Sequence, residues 1–174
     1  ELLGLSSEDY PVFPGVENGI QIQMKIADLN NLIKHTIYSV SFDDTKQFLN
    51  GILIQNDQSV VTFVSTDGYR LSLMSDDNGY SDQNFSVIVP FKAMNEISKI
   101  IGQLNSDSMV TLNITASQIA FSLDNFLFIS RVIQGKFPDY KQVLPKEAQN
   151  KFKLSRKGLL DASERASIIA AESN

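Results

Sequence analysis

The side chains in this chain that could do chemistry are mainly carboxylates. Asp43-Asp44 and Asp76-Asp77 place acidic groups side by side, an arrangement that suits hard cations such as calcium. Read as a calcium loop, Asp76 needs a carboxylate two residues earlier, where Met74 stands, and a closing glutamate, which is missing. Both pairs therefore read as acidic surface loops, and no metal site is expected. The single histidine, His35, has no serine or carboxylate at motif spacing, and beside Lys34 it reads as a polar-face residue of a helix. Cysteine is absent, which removes disulfide frameworks, thiolate zinc sites and cysteine nucleophiles together. Gly-rich phosphate loops, Gly-x-Ser-x-Gly elbows and His-Glu-x-x-His helices are absent too. Asp67 and Asp139 would serve an enzyme only if buried in a cleft with perturbed pKa values. In turn segments both read instead as local hydrogen-bond acceptors. No catalytic residue and no cofactor is assigned.

The elements that must carry these residues belong to an ordinary globular chain. Hydrophobic residues make up 43% and charged residues 20%, which excludes disorder and collagen-like structure. No apolar run approaches the roughly 20 residues of a membrane span, and the start shows no secretory signal, so a soluble, cytoplasmic protein is expected. The first residue is not methionine, and the last residues follow a helical pattern with no stop, which reads as a segment of something longer.

An internal repeat supports the same expectation. Gly4-Leu-Ser-Ser-Glu-Asp-Tyr-Pro-Val12-Phe-Pro14 resembles Gly135-Lys-Phe-Pro-Asp-Tyr-Lys-Gln-Val143-Leu-Pro145. Each copy leads into an alternating stretch and then a helical one: Ile20–Ile26 and Ala27–Val40 after the first, Phe152-Lys-Leu154 and Gly158–Ala171 after the second. A period of about 130 residues is a domain period, longer than a solenoid repeat. It predicts the end of one unit over 1–15, a whole middle unit over 16–145, and the linker, first strand and first helix of a third over 146–174.

A shorter duplication lies within the middle unit. Its first half reads strand Ile20–Lys25, helix Ala27–Val40, then strands Leu49–Gln55, Val60–Thr66 and Tyr69–Ser75. Its second half reads strand Phe85–Val89, helix Phe91–Ile101, then strands Met109–Thr115, Gln118–Leu123 and Phe126–Ile133. Asp67-Gly68 reads as a tight hairpin with both turn residues at positive φ. Pro90 suits the start of a helix, where its missing N–H costs nothing. Leu29, Leu32, Ile33 and Ile37 form one apolar helix stripe, and Met94, Ile97 and Ile101 another. The expected fold class is α+β, a duplicated β-α-β-β-β unit with two helices packed on one face of antiparallel sheet.

Four segments carry a resemblance: Leu49-Asn-Gly51, Ser65-Thr-Asp-Gly-Tyr-Arg-Leu71, Val87-Ile-Val-Pro90 and Gly135-Lys-Phe-Pro-Asp-Tyr140. In this order and spacing they resemble the sliding-clamp family of bacterial DNA polymerase III beta subunits, along essentially the whole chain. The resemblance implies the DNA-clamp fold and a non-catalytic ring, built from three domains per chain and two chains head-to-tail, that encircles duplex DNA with its helices inward. A ring that holds DNA topologically and still slides should touch phosphates loosely and read no bases. Lys92, Asn95 and Lys99 share one helix face, with Asn31, Lys34 and His35 grouped likewise on the other helix. Solvated faces are the plain alternative; the resemblance makes Lys34, Lys92, Asn95 and Lys99 DNA-facing. The net charge of −5 counts against generic nucleic-acid binding but not against a ring with a basic lining.

The resemblance further implies docking of short peptide motifs of polymerases, the clamp loader and repair proteins. The matching positions are Leu49, Thr66, Gly68, Tyr69, Arg70, Leu71, Pro138, Gln142 and Val143. Leu49, Leu71, Pro138 and Val143 offer apolar walls, and Thr66 and Arg70 polar anchors. Leu49 and Leu71 read equally as core, and Gly68 as the hairpin turn. Tyr69 stands where relatives often carry histidine, and Gln142 where some carry arginine, so the docking preference should differ in part. Apolar positions Leu159, Ala162, Ala166, Ile169 and Ala170 leave a helical stripe without its own domain. A plain α+β protein-interaction module without a DNA role is the alternative to the clamp reading.

Overall fold

The computed structural model describes residues 4, 19–145 and 150–170. Apart from Gly4, the first copy of the long repeat and the expected first-unit tail over 1–15 lie outside the described residues. The chain divides into two compact units, residues 1–137 and 138–174.

The first unit begins with β1 (Ile20–Lys25) and α1 (Ile26–Lys34), followed by short 3-10 turns at Ile37–Ser39 and Asp44–Leu49. Then come β2 (Gly51–Asp57), β3 (Val60–Thr66), β4 (Leu71–Asp76), β5 (Phe85–Pro90), α2 (Phe91–Ile101), β6 (Met109–Ile114), β7 (Gln118–Leu123) and β8 (Phe126–Arg131). The order β-α-β-β-β therefore occurs twice, as the duplication predicts. All pairing is antiparallel, in two four-stranded sheets ordered β1-β6-β7-β8 and β4-β3-β2-β5.

The two halves exchange their first strands. β1 of the first half pairs with β6 of the second, and β5 of the second pairs with β2 of the first. The same local geometry recurs at both exchanges. Each helix starts where the exchanged strand ends, and its first amide is anchored to the residue just before the partner strand. Ile26 N donates to Ser108 O at 2.9 Å, and Phe91 N donates to Asn50 O at 3.0 Å. A bridge between Ile88 and Ile133 links the two sheets.

Burial follows the side-chain periodicities. In β1 Ile22 and Met24 are buried while Gln21, Gln23 and Lys25 are exposed, the pattern of a strand with one wet face. Central β3 is buried almost throughout. Both helices bury one stripe, Ile26, Leu29, Leu32 and Ile33 on α1 and Ala93, Met94, Ile97 and Ile101 on α2. α1 packs beside α2 and onto β3 and β4, and α2 packs onto β2 and β5. Residues from both sheets and both helices form one continuous core, with Phe63 and Phe121 among its largest fully buried members.

Three local expectations need correction. The first helix stops at Lys34 rather than near Val40. Buried Thr36 turns its hydroxyl back onto Leu32 O at 2.7 Å, and its amide bonds Ile33 O, so the chain tightens into 3-10 geometry and turns. The Asp67-Gly68 turn is a four-residue loop in which only Gly68 has positive φ, at +94°. The two-residue turn with both φ positive lies instead at Gln58-Ser59, between β2 and β3. The third departure falls in the second unit.

There a 3-10 turn spans Tyr140–Gln142, with Asp139 capping Lys141 N, and α3 spans Arg156–Ala170. The alternating Phe152-Lys-Leu154 stretch forms no strand. It lies exposed, and no strand among the described residues pairs with it. Ser155 starts α3 by accepting Gly158 N on its hydroxyl and Leu159 N on its carbonyl. No residue of α3 is buried, so its apolar stripe stands open. No described helix is long and apolar enough to cross a membrane.

Candidate functional site

The loop between β3 and β4 brings together several of the candidate residues. Pairing closes at Thr66 opposite Leu71, leaving Asp67, Gly68, Tyr69 and Arg70 to turn the chain. Two side chains define its shape. The Thr66 hydroxyl donates to Arg70 O at 2.7 Å and accepts Gly68 N at 3.1 Å. Asp67 Oδ1 accepts Tyr69 N at 2.9 Å and Arg70 N at 3.0 Å, while Oδ2 accepts Arg70 Nε at 3.0 Å. The amides of Arg70 and Tyr69, aided by the Arg70 charge, hold the Asp67 carboxyl below its usual pKa.

With its backbone fixed this way, the loop exposes the rest. Tyr69 is 99% exposed, Arg70 is exposed and Leu71 is half-buried. Thr66 is buried with its hydroxyl committed within the loop, so it shapes the hairpin from inside. Leu49 is likewise internal, at 4% exposure. It closes the 3-10 turn before β2, and its carbonyl accepts Ser41 N at 3.1 Å. Gly51 in the same motif lies under the Val89 carbonyl, so close that a Cβ would collide with it. Leu49-Asn-Gly51 is thus a joint of the strand exchange, where Asn50 also receives Phe91 N.

In the second unit Pro138, Gln142 and Val143 are all exposed. Gln142 Nε2 donates to Asp139 Oδ2 at 2.9 Å, so its carboxamide is engaged by its own turn. Neither Asp67 nor Asp139 is buried, and both act as turn acceptors, which removes the condition for a carboxylate enzyme. Exposed His35 places Nδ1 2.8 Å from Asn31 O. No group of three or more His, Cys, Asp or Glu side chains among the described residues is arranged to hold a metal.

The helix faces opposite the core carry the other candidates. Lys34 is exposed in the last turn of α1, Lys92 is exposed in the first turn of α2, and Asn95 is half-buried one turn on. Lys99 is exposed and lies 3.2 Å from Glu96, so that face is mixed in sign. Two features escaped the sequence reading. One is the grip of Asp67 on Arg70, since a turn aspartate is read as capping backbone only. The other is a cleft of about 600 Å³ beside the start of α2, lined by Phe42, Asn50, Phe91, Lys92 and Ile133 among others. There Phe42 meets Phe91 edge to face, with ring centres 4.9 Å apart. An aromatic residue within an acidic loop was its one signal.

Comparison with known proteins gives the family. A family model described as "DNA polymerase III beta subunit, central domain" matches residues 23–139. The beta sliding clamp of Treponema pallidum is 35% identical over 173 residues, covering 99% of this chain and 46% of that protein. The crystal structure of the Bacillus subtilis DNA polymerase sliding clamp aligns with TM-score 0.77 and 31% identity, over 82% of this chain and 37% of that one. The Pseudomonas aeruginosa DNA polymerase III subunit beta aligns with TM-score 0.76 and 29% identity, over 82% and 39% respectively. The chain thus spans somewhat under half the length of these relatives. The clamp architecture expected from the four motifs is the one observed, and the chain belongs to the family of DNA polymerase III beta subunits, the beta sliding clamps.

Proposed function

We propose that this chain is the central part of a non-catalytic sliding clamp that encircles duplex DNA and keeps a replicative polymerase on it. The observation that carries the reading is the pair of neighbouring helices α1 and α2. Each buries its apolar stripe and leaves lysines outward: Lys34 on one, Lys92 and Lys99 on the other. A few lysines on an otherwise acidic chain suit loose, sequence-independent attraction to phosphates, strong enough to orient a ring and weak enough to let it slide. In this reading residues 16–145 are a complete middle domain between 1–15 of a first and 146–174 of a third. The full-length protein is a head-to-tail homodimer in the cytoplasm.

The second part of the proposal is docking. Tyr69, Arg70 and Leu71, on the frame set by Leu49, Thr66 and Gly68, engage short peptide motifs of the polymerase, the clamp loader and repair proteins. Pro138, Gln142 and Val143 are proposed as further peptide contacts.

The test uses the full-length protein, loaded by its clamp loader onto nicked circular DNA at moderate salt. It should stay with the circle through gel filtration and leave once the circle is cut. Equal retention on both forms would mean ordinary affinity binding and end the ring reading. No retention on either, with loading shown to work, would favour the interaction module without a DNA role. Lys92→Gln should lower the slope of log affinity against log salt, measured before loading, by about 0.9.

A further inference from the structure

We infer that Asp67 is a positioning residue for the proposed docking site: it holds Arg70 as a charge-balanced donor that selects neutral peptide acceptors over carboxylates. This rests on the docking reading above.

The argument starts from how the loop distributes its hydrogen bonds. One carboxylate serves three donors, two backbone amides through Oδ1 and the Arg70 side chain through Oδ2. The turn itself needs only the first oxygen, and Thr66 already fixes the loop's other flank. The second oxygen therefore does something the backbone does not require. It takes Arg70 Nε at 3.0 Å and restrains a long side chain that remains 62% exposed. A guanidinium has five N–H donors in a rigid fork, and engagement of Nε leaves the four terminal ones. None of these has a hydrogen-bond partner among the described residues, and they belong to an exposed loop, next to fully exposed Tyr69. Among the described residues, Arg70 is also the charged side chain that acts on Asp67.

Charge then sets what those donors prefer. A lone arginine favours a carboxylate. Here the carboxylate of Asp67 already sits against the guanidinium, so the pair is electrically balanced. An incoming carboxylate would meet Asp67 at short range, whereas a peptide carbonyl or carboxamide accepts the same N–H groups without that repulsion. The site should therefore discriminate by charge while both kinds of peptide fit by shape.

Asp67→Asn isolates this role. Its side-chain oxygen can still accept the Tyr69 and Arg70 amides, but its amide nitrogen opposes Arg70 Nε, donor against donor. The turn survives and the grip is lost. Two peptides, acetyl-Ala-Leu-Gln-Leu-Ala-amide and its twin with Glu in place of Gln, are titrated into the full-length protein and followed by NMR. The leucines are chosen to meet the apolar side of the loop at Leu71. The natural protein should prefer the Gln peptide. Asp67→Asn should shift the ratio of the two affinities toward the Glu peptide by about two- to fivefold, the range expected for an exposed charge. In an Arg70→Gln background, where no guanidinium holds the peptide acceptor beside Asp67, the same change should shift that ratio less, whereas a merely structural aspartate would leave the ratio unmoved in both backgrounds. The Arg70 Nε–H should exchange with water more slowly in the natural protein than in Asp67→Asn.

If neither peptide binds the natural protein, the docking reading falls and the inference with it. If peptides bind but Asp67→Asn leaves the ratio unchanged, or shifts it equally without Arg70, docking stands and the inference is overturned. Equal Nε–H exchange in the two proteins overturns it in either case.

Discussion

The two halves of the first unit reach the same corner by different turns. In the second half β7 closes at Leu123 opposite Phe126, and Asp124-Asn125 makes the whole turn, with Asp124 at φ +41°. In the first half β3 closes at Thr66 opposite Leu71, and four residues intervene. Both pairs of strands are six residues or more in length and both sheets have four strands, so the sheet itself asks for no more than the shorter turn. The first-half loop is longer than closure needs, yet it is held by five hydrogen bonds from the side chains of Thr66 and Asp67. A loop both longer and stiffer than folding requires holds its outward side chains, Tyr69 and Arg70, for contact with something else.

The comparison rests on the halves being one folding unit, and the strand exchange makes that testable. Each sheet takes its first strand from the other half, and Phe63 of β3 and Phe121 of β7 share one core. Phe63→Ala and Phe121→Ala should each cost about 3–5 kcal/mol, the largest effects expected here. Both should lower the same transition in urea, seen alike by far-UV circular dichroism and by NMR signals from the two sheets. Separate transitions for the two halves would break the picture of an interleaved unit.

A smaller effect on stability, with a larger one on function, should follow from making the two corners alike. Replacing the four residues Asp67–Arg70 with an Asn-Gly dipeptide converts the first-half corner to the length of the second. The Thr66–Leu71 pairing is compatible with a two-residue turn. Stability measured by urea unfolding should then stay within about 1 to 2 kcal/mol, mostly the lost loop bonds. Peptide docking should fall below detection. A large drop in stability would mean that the longer loop is a folding element, and the contrast between the corners would lose its functional meaning.

How far the sequence discloses these features depends on the range of the interactions that set them. Strands Ile20–Lys25, Val60–Thr66 and Gln118–Leu123 and helix Phe91–Ile101 are legible to the residue, because alternation, an apolar stripe and Pro90 act locally. The end of α1 depends on a single hydroxyl, Thr36, which turns back to Leu32, so apolar periodicity runs past it. Exchange of first strands is invisible to any local pattern, since β1 meets β6 more than eighty residues later (Lys25 opposite Met109). The candidate residues divide the same way. Exposed Tyr69 and Arg70 are found by motif, whereas buried Leu49 and Thr66 carry the motif for reasons of framework. In sequence Asp67 reads as a turn former and not as the partner of Arg70, because its second oxygen has a role only once the loop is four residues long.

The smallest expected effect concerns the links that leave the two halves. After β8 the chain is tied back by the Ile88–Ile133 backbone bridge, which does not titrate. After β4 the tie is made by side chains. The Tyr80 hydroxyl lies 2.8 Å from Asp76 Oδ2 and 3.3 Å from Asp28 Oδ2 on α1, and it accepts Asn78 Nδ2 at 3.1 Å. Burial, followed by the two carboxylates, raises the Tyr80 pKa far above its ordinary value of 10. A phenol that ionises later in the folded than in the unfolded state contributes stability that is complete below pH 10 and lost as pH rises beyond it. Urea midpoints measured from pH 8.5 to 11 should therefore fall more steeply for the natural protein than for Tyr80→Phe. Equal slopes would mean that the hydroxyl is solvated in the folded state and that this half, like the other, is tied by backbone alone.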